Sequence, residues 1–70
     1  MPLAMAAPGR TAQVHRINGN DATRQHLESM GFVPGTVVTI VTERNGDLIV
    51  NIRGSRVAIS KSLAVRILVA

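Results

Sequence analysis

The residues of this sequence that could carry out chemistry are few, and their spacing does not bring them into one site. The histidines His15 and His26 fall on different predicted elements. His26 and Glu28 stand two positions apart on one predicted helix, so their side chains do not face each other. The four acidic residues show no spacing typical of metal ligands; they are Asp21, Glu28, Glu43 and Asp47. We therefore expect no metal site and no cofactor, with a transient site for a transition metal as the less favoured alternative.

The hydroxyl groups do not suggest catalysis either. Ser55, Ser60 and Ser62 cluster in the sequence, but no histidine and acid stand in an order that would build a catalytic triad. Asp47 lies in a predicted turn, where an aspartate usually stabilises local backbone. The glycine-containing turns lack the pattern of Gly and Lys leading into a helix that binds nucleotide phosphates. Without a nucleophile and base to name, the sequence predicts no enzyme.

The composition bounds the fold and the compartment. Seventy residues make one small domain, and the absence of cysteine excludes disulfides and thiolate metal sites. The chain is 46% hydrophobic but holds a single aromatic residue, Phe32. An aliphatic core of this kind can support a small barrel, whereas a platform for stacking bases needs several aromatic side chains. No apolar run approaches the length of about 18 residues that a membrane span needs. Because residues 1–10 lack a charged n-region, we expect no signal peptide and a soluble chain. The absence of cysteine is compatible with the reducing cytoplasm.

The charge is uneven along the chain. The formal net charge is +4, and no acid follows Asp47, whereas four basic residues do: Arg53, Arg56, Lys61 and Arg66. Such a segment suits an acidic partner surface, lipid headgroups or phosphates. Ordinary solubilising charge on the solvent face of strands explains it equally well.

The elements that would position these residues begin with a loose arm over residues 1–9. Its Leu3 and Met5 are expected to pack onto the barrel. The segment Thr11–Asn18 alternates as a strand until Ile17 breaks the pattern. A turn cluster follows, which can cap a short amphipathic helix over Ala22–Met30.

The helix is predicted to stop at Gly31, where a positive φ is wanted, with Phe32 folding back on Leu27 as in a Schellman motif. Pro34-Gly35 then predicts a type II turn. From this turn the chain is expected to leave as a strand over Thr36–Glu43.

The second half reads as consecutive hairpins. Asn45-Gly46 is a strong hairpin signal, and the returning strand over Leu48–Arg53 alternates so that Leu48, Val50 and Ile52 face inward. Gly54-Ser55 predicts a second tight turn into a strand over Arg56–Ser60.

Ser60 can cap one helical turn through Leu63, after which the last strand is expected to point Val65, Ile67 and Val69 inward. The pattern predicts a mainly β single domain over residues 1–70, a small barrel of about five strands with one short α-helix after the first strand.

The order of these signals, spread over nearly the whole chain, resembles a known family. The resemblance is carried by Leu3, Pro8-Gly9, Val14, Ile17 and Gly19, by the pattern L-x-x-x-G-x-x-P-G-x-x-V on Leu27, Gly31, Pro34, Gly35 and Val38, and by Gly46, Asp47, Gly54, Ala58, Ala64, Ile67 and Val69. On these residues the sequence resembles FeoA, the small SH3-like barrel associated with bacterial ferrous-iron uptake. The chain departs from the family's pattern at Leu48, where Pro is frequent, and at Ala6, where a larger aliphatic is common.

The resemblance implies an accessory role rather than an activity. The family is associated with FeoB, a membrane protein that joins a cytoplasmic GTPase domain to an iron-transporting region. A member would be a cytoplasmic interaction module, peripheral to the membrane through its partner, that supports or regulates ferrous-iron transport. The family brings no catalytic residues to carry over.

The expected docking face is a mixed apolar and basic patch. Ile49 and Leu68 are predicted to point outward, where one inner face does not account for them, and Arg53, Arg56 and Lys61 stand near in sequence. Scattered surface residues are the usual alternative. An exposed edge could also serve strand addition or weak self-association.

The alternative function is a small basic SH3-like barrel that binds RNA or a ribosomal surface. The modest net charge and the missing aromatic residues disfavour nucleic acid. Binding that falls steeply with salt would distinguish this alternative from a protein partner.

Overall fold

A computed structural model describes all 70 residues and places five antiparallel strands in the order β4-β3-β2-β1-β5. The strands are β1 (Thr11–Ile17), β2 (Val37–Arg44), β3 (Asp47–Ile52), β4 (Ser55–Ser60) and β5 (Ile67–Val69). The helices are a 3-10 turn (Leu3–Met5), α1 (Asp21–Ser29) and α2 (Lys61–Ala64), none of which is long and apolar enough to cross a membrane. The mainly β architecture predicted from the sequence is confirmed.

The core is built from aliphatic side chains around one aromatic ring. Sixteen hydrophobic residues are buried, and no polar or charged residue is buried with them. Leu48, Val50 and Ile52 of β3 all point into this core, as the alternation predicted. Because the core holds no side-chain hydrogen bond, its stability depends on the close packing of apolar groups.

The break in alternation at Ile17 has a structural cause in β1. Against β5, the register of β1 shifts between Val14 and Arg16, so that His15 and Arg16 are both exposed. A bulge of this kind adds one residue to a strand and reverses the phase of the side chains after it. Val14 and Ile17 therefore both reach the core, although they stand three positions apart.

The start of α1 is fixed by a side-chain cap. Asn20 has extended backbone, and its side-chain oxygen accepts a hydrogen bond from the Thr23 amide at 2.8 Å. Asp21 in the first turn pairs with Arg24 and suits the positive end of the helix dipole.

The end of α1 has the geometry of a Schellman motif. The Phe32 amide donates to the Leu27 carbonyl at 3.1 Å, and the Gly31 amide donates to the Glu28 carbonyl at 3.0 Å. Gly31 has φ +107°, and Leu27 and Phe32 are fully buried. The motif thereby turns the chain and inserts the single aromatic side chain into the core.

The chain makes three tight turns after α1, one before β2 and one in each of the two hairpins that follow. At Pro34-Gly35, the Thr36 amide donates to the Val33 carbonyl at 3.0 Å, and Gly35 has φ +91°, which is type II geometry. Asn45-Gly46 has positive φ at both residues, the type I′ turn of a two-residue hairpin.

The next hairpin turn lies one residue earlier than predicted. Ile52 pairs with Ser55, so the turn consists of Arg53 and Gly54, with φ of 51° and 80°. Residue types alone place Arg53 in the strand, because arginine rarely adopts a positive φ. Here the register between β3 and β4 overrides that local preference.

The N-terminal arm is fixed to the sheet rather than loose. Leu3 is fully buried and Pro2 forms an isolated bridge with Leu68, but Met5 is 75% exposed. The expectation that Met5 packs onto the barrel is therefore wrong. The 3-10 turn directs Leu3 inward and leaves the side chain two positions later in solvent.

The last strand is shorter than predicted. The expectation that Val65 points inward from it is wrong, because Val65 is the C-cap of α2 and is 49% exposed. The Val65 amide donates to the Lys61 carbonyl, which extends the helical turn past Ala64. Only Ile67 and Val69 remain to fill the inner face of β5.

Replacing Gly31 tests the helix stop. The Gly31→Val variant should lose about 2–3 kcal/mol of unfolding free energy, because valine is strained at this φ and its Cβ would lie 3.2 Å from Cδ of Arg53. Thermal unfolding followed by circular dichroism should show a melting temperature lower by about 10 °C or more.

Gly54→Val is the matched control, since Gly54 also has a positive φ but a Cβ added there would meet no other atom within 4 Å. Its loss should be smaller, close to the backbone cost of about 1–2 kcal/mol. Equal losses in the two variants would show that Gly31 is not constrained by packing.

Removing the helix cap gives a second prediction for the fold. Asn20→Ala should lower the unfolding free energy by about 1 kcal/mol, since the Thr23 amide loses its acceptor. Asn18→Ala, in the same loop but outside the cap, should leave the melting temperature nearly unchanged. A similar fall in both variants would contradict the cap.

Candidate functional site: a groove on the outer face of the sheet

A shallow groove lies on the outer face of β2, β3 and β4. Its volume is about 310 Å³, and six residues line it: Val41, Thr42, Arg44, Ile49, Arg56 and Ala58. Three of these are apolar and two are arginines, so the groove combines an apolar floor with positive charge. We call this surface the outer groove.

The floor of the outer groove follows from the way β2 and β3 pair. Leu48 and Val50 point inward, so Ile49 between them points outward, where it is half-buried. The register of β2 against β3 shifts between Ile40 and Thr42, and Thr42 is the partner of Ile49. Such a bulge leaves one residue unpaired, which brings both Val41 and Thr42 to the same outer surface.

Ala58 decides how accessible the floor is. It stands directly opposite Ile49 in the pairing of β3 with β4, and its side chain ends at Cβ. A larger residue there would cover Ile49, as directly opposed cross-strand side chains usually contact each other. The small side chain leaves Ile49 open to another molecule.

The two arginines of the outer groove have no acidic partner. The chain's two ion pairs join Arg24 to Asp21 and Lys61 to Glu43, the latter at 2.8 Å. Arg56 donates only to the side-chain oxygen of Asn51, at 3.4 Å.

The acids nearest to the outer groove leave its charge in place. Asp47 is the cross-strand neighbour of Arg44 but forms no ion pair with it, and Glu43 is occupied by Lys61. Exposed guanidinium groups that have no carboxylate partner are free to donate hydrogen bonds to a carboxylate of another molecule.

The structure divides the patch predicted from the sequence. Ile49 and Arg56 meet in the outer groove, whereas Lys61 is paired with Glu43. Arg53 lies in the β3–β4 turn with its side chain beside Gly31. Leu68 lies on β5, with β2 and β1 between it and β3 in the sheet order. The five residues therefore do not form one surface.

Sequence reasoning missed four members of the outer groove, Val41, Thr42, Arg44 and Ala58. Alternation along β2 was visible, but the bulge after Ile40 leaves no mark in residue types. Arg44 enters the groove because β2 extends one residue beyond the predicted Glu43.

The other polar residues do not assemble into a centre. No three side chains among the histidines and acids lie close enough together to hold a metal ion. No buried side-chain nitrogen or oxygen lacks a hydrogen-bond partner. The arrangement of the outer groove is suited to binding by apolar contact and charge, and it presents no paired nucleophile and base.

The five-stranded fold is that of a small domain of the SH3-like class. The family profile of the FeoA domain matches residues 1–70. A protein of Methanocaldococcus jannaschii, described as a proposed Fe(2+) transport protein A, is 35% identical over 68 residues, which is 97% of this chain and 83% of that protein. The chain therefore belongs to the FeoA domain family.

Two solved structures show the same fold. The crystal structure of an iron uptake regulatory protein, FeoA, is 39% identical and has a TM-score of 0.91 over 99% of this chain and 92% of that chain. FeoA of Stenotrophomonas maltophilia, solved with zinc and described as an SH3 domain protein, is 29% identical with a TM-score of 0.87. It covers all of this chain, which spans 89% of that protein. The resemblance seen in the sequence is confirmed.

The pair of Lys61 and Glu43 gives a prediction for this region. Both side chains are about half exposed, so their coupling in a double-mutant cycle of Glu43→Gln and Lys61→Met should be at most about 1 kcal/mol. Urea unfolding of the four proteins measures it. A coupling of about 3 kcal/mol would contradict a solvent-screened pair and would give Lys61 a structural role.

Proposed function

We propose that this chain is an accessory factor of ferrous-iron transport that acts in the cytoplasm by binding a FeoB-type transporter. The observation that carries the proposal is the match of the FeoA domain to the whole chain. The names of the relatives support it, since they refer to Fe(2+) transport and to regulation of iron uptake. A role as a ferrous-iron transport activating factor is suggested for the Stenotrophomonas protein.

The outer groove supports action by binding. Its apolar floor, formed in part by Ile49 and Ala58, can bury an aliphatic side chain, and Arg44 and Arg56 can hold a carboxylate. A bound accessory protein changes transport only if it prefers one state of the transporter over another. A tenfold preference corresponds to about 1.4 kcal/mol, which a few such contacts can supply.

The nucleic-acid alternative is not favoured. The only aromatic side chain, Phe32, is fully buried, so no aromatic ring on the surface can stack on a base. The unpaired arginines alone would give binding without sequence preference and with strong salt dependence.

The test is an amide NMR titration of the labelled chain with the isolated cytoplasmic portion of the cognate transporter. Ferrous iron and a short RNA serve as parallel titrants. Saturable shifts with the transporter fragment that persist at about 150 mM salt are expected. Shifts with RNA alone that vanish at this ionic strength would overturn the proposal.

Charge reversal locates the contact surface. Arg44→Glu combined with Arg56→Glu should weaken binding of the transporter fragment about tenfold or more, since both guanidinium groups would be replaced by acids. Isothermal titration calorimetry measures the change in Kd. The control is Arg16→Glu combined with Arg66→Glu, which changes the net charge by the same amount but at β1 and β5, away from the outer groove. Equal weakening in both double variants would show that net charge, and not the outer groove, controls binding.

A further inference from the structure

The two edges of the sheet differ in how they are covered. Along β5, Pro2 forms a bridge with Leu68, and the amide of Val69 donates to the Met1 carbonyl at 2.7 Å. Along β4, the only paired strand is β3. The sheet therefore has one edge closed by its own N-terminal residues and one edge without a strand partner.

The pairing of β3 with β4 shows which backbone groups face the open edge. Lys61 donates its amide to the Gly46 carbonyl at 3.1 Å, and this bond fixes the phase of the antiparallel ladder. Pairs joined by backbone hydrogen bonds alternate with pairs that share no backbone bond, and Asn51–Arg56 and Ile49–Ala58 are of the second kind. Arg56 and Ala58 consequently turn their N–H and C=O groups outward, and no backbone bond outside the ladders and helices uses them.

The open edge and the outer groove share the same two residues. Arg56 and Ala58 offer backbone groups at the edge, and their side chains line the groove. A strand added to β4 would place every second side chain on the outer face beside these two residues. One such side chain would lie beside the Arg56 guanidinium, and another would lie over Ala58 toward Ile49.

We propose that β4 receives an extended segment of a protein partner as a sixth strand. The segment carries a carboxylate that pairs with Arg56 and, two residues away, a large aliphatic side chain that fills the space above Ala58 and contacts Ile49. The identification of that partner as the transporter rests on the proposed function. The chemistry of the segment is inferred from β4 and the outer groove alone.

Charge selects an acidic segment over a second copy of this chain. Arg44 and Arg56 both lie unpaired at the outer groove, and the chain has a net charge of +4. Pairing β4 with β4 of another copy would bring a second set of these arginines to the same surface. Like charges that meet directly across strands are destabilising, whereas a carboxylate opposite Arg56 is favourable.

Short peptides test the proposal on the full chain. The probes are the capped peptides Thr-Ser-Thr-Leu-Thr-Glu-Thr and Thr-Glu-Thr-Leu-Thr-Ser-Thr, which present the two side chains in antiparallel and parallel order. We expect one of them to shift the amide signals of Arg56, Ala58 and Ile49 and to slow amide hydrogen exchange at Arg56 and Ala58. Replacing Glu by Lys in the peptide, or Leu by Ser, should weaken binding about fivefold or more. Peptides that bind with no protection of these amides would overturn strand addition.

Variants of the protein test the contribution of the apolar floor to peptide binding separately from that of the arginines. Ala58→Leu should reduce peptide affinity about fivefold or more, because the new side chain would cover Ile49. Val37→Leu, at an exposed position of β2 outside the groove, is the control and should bind normally. Both variants should keep the melting temperature of the parent. Normal binding by folded Ala58→Leu would overturn the proposed seat of the aliphatic side chain.

The outcomes distinguish this inference from the proposed function. Strand addition would be overturned, and the accessory role left intact, if the transporter fragment bound without shifting the amide signals of β4 and neither peptide bound. If a peptide bound at β4 but the transporter fragment caused no shifts, the acidic strand would be supported and FeoB would be excluded as the protein that supplies it. Concentration-dependent shifts at Arg56 and Ala58 in the free protein would assign the edge to a second copy and overturn the proposal.

Discussion

The burial of Phe32 against the end of α1 is the interaction on which the rest of the barrel depends. The core is otherwise aliphatic and contains no polar side chain, so no buried hydrogen bond or ion pair between side chains fixes the position of any element within it. The Schellman bonds to Leu27 and Glu28 fix where the helix ends and hence where the ring enters. Gly31 permits this turn, and the side chains of Ile52 and Arg53 pack around it. The helix end and the β3–β4 hairpin are thereby held against each other.

This arrangement assigns opposite tasks to the two faces of one hairpin. The inward residues of β3 complete the core, and Ile49 between them forms part of a binding floor. A change of register by one residue would exchange these roles. The type I′ turn at Arg53-Gly54 prevents that exchange, because a two-residue loop tolerates only one pairing of its flanking strands and β3 keeps a single register with β4. The pairing that directs Leu48, Val50 and Ile52 into the core therefore also directs Ile49 into the outer groove.

Much of this architecture can be predicted from residue types, and the failures share a cause. The helix stop, the type II turn and the first hairpin are specified by Gly, Pro and Asn, whose backbone preferences are strong. The bulge in β2, which brings Val41 into the outer groove, and the positive φ of Arg53 arise from pairing with other strands. Val65 is misplaced by residue types because a four-residue helix and a short strand give similar apolar patterns.

The candidate site is only partly accessible to such reasoning. The sequence identifies Ile49 as outward and Arg56 as basic, but distance along the chain does not show that Lys61 is neutralised by Glu43. It also does not show that Leu68 belongs to the opposite edge of the sheet. Which charges remain free, and which surfaces coincide, are properties of tertiary contacts.

The strand order has a consequence for the time course of folding. Strands β2, β3 and β4 are consecutive in the chain and joined by two-residue turns, whereas β1 must find β5 across most of the sequence. Contacts between neighbours in sequence form sooner, because closing a long loop costs more chain entropy. The meander of β2, β3 and β4, which carries the outer groove, can thus assemble before β1 pairs with β5. Pulse-labelled hydrogen exchange during refolding would then protect the amide of Val50 before that of Ala70, which donates to the Gln13 carbonyl at 2.9 Å.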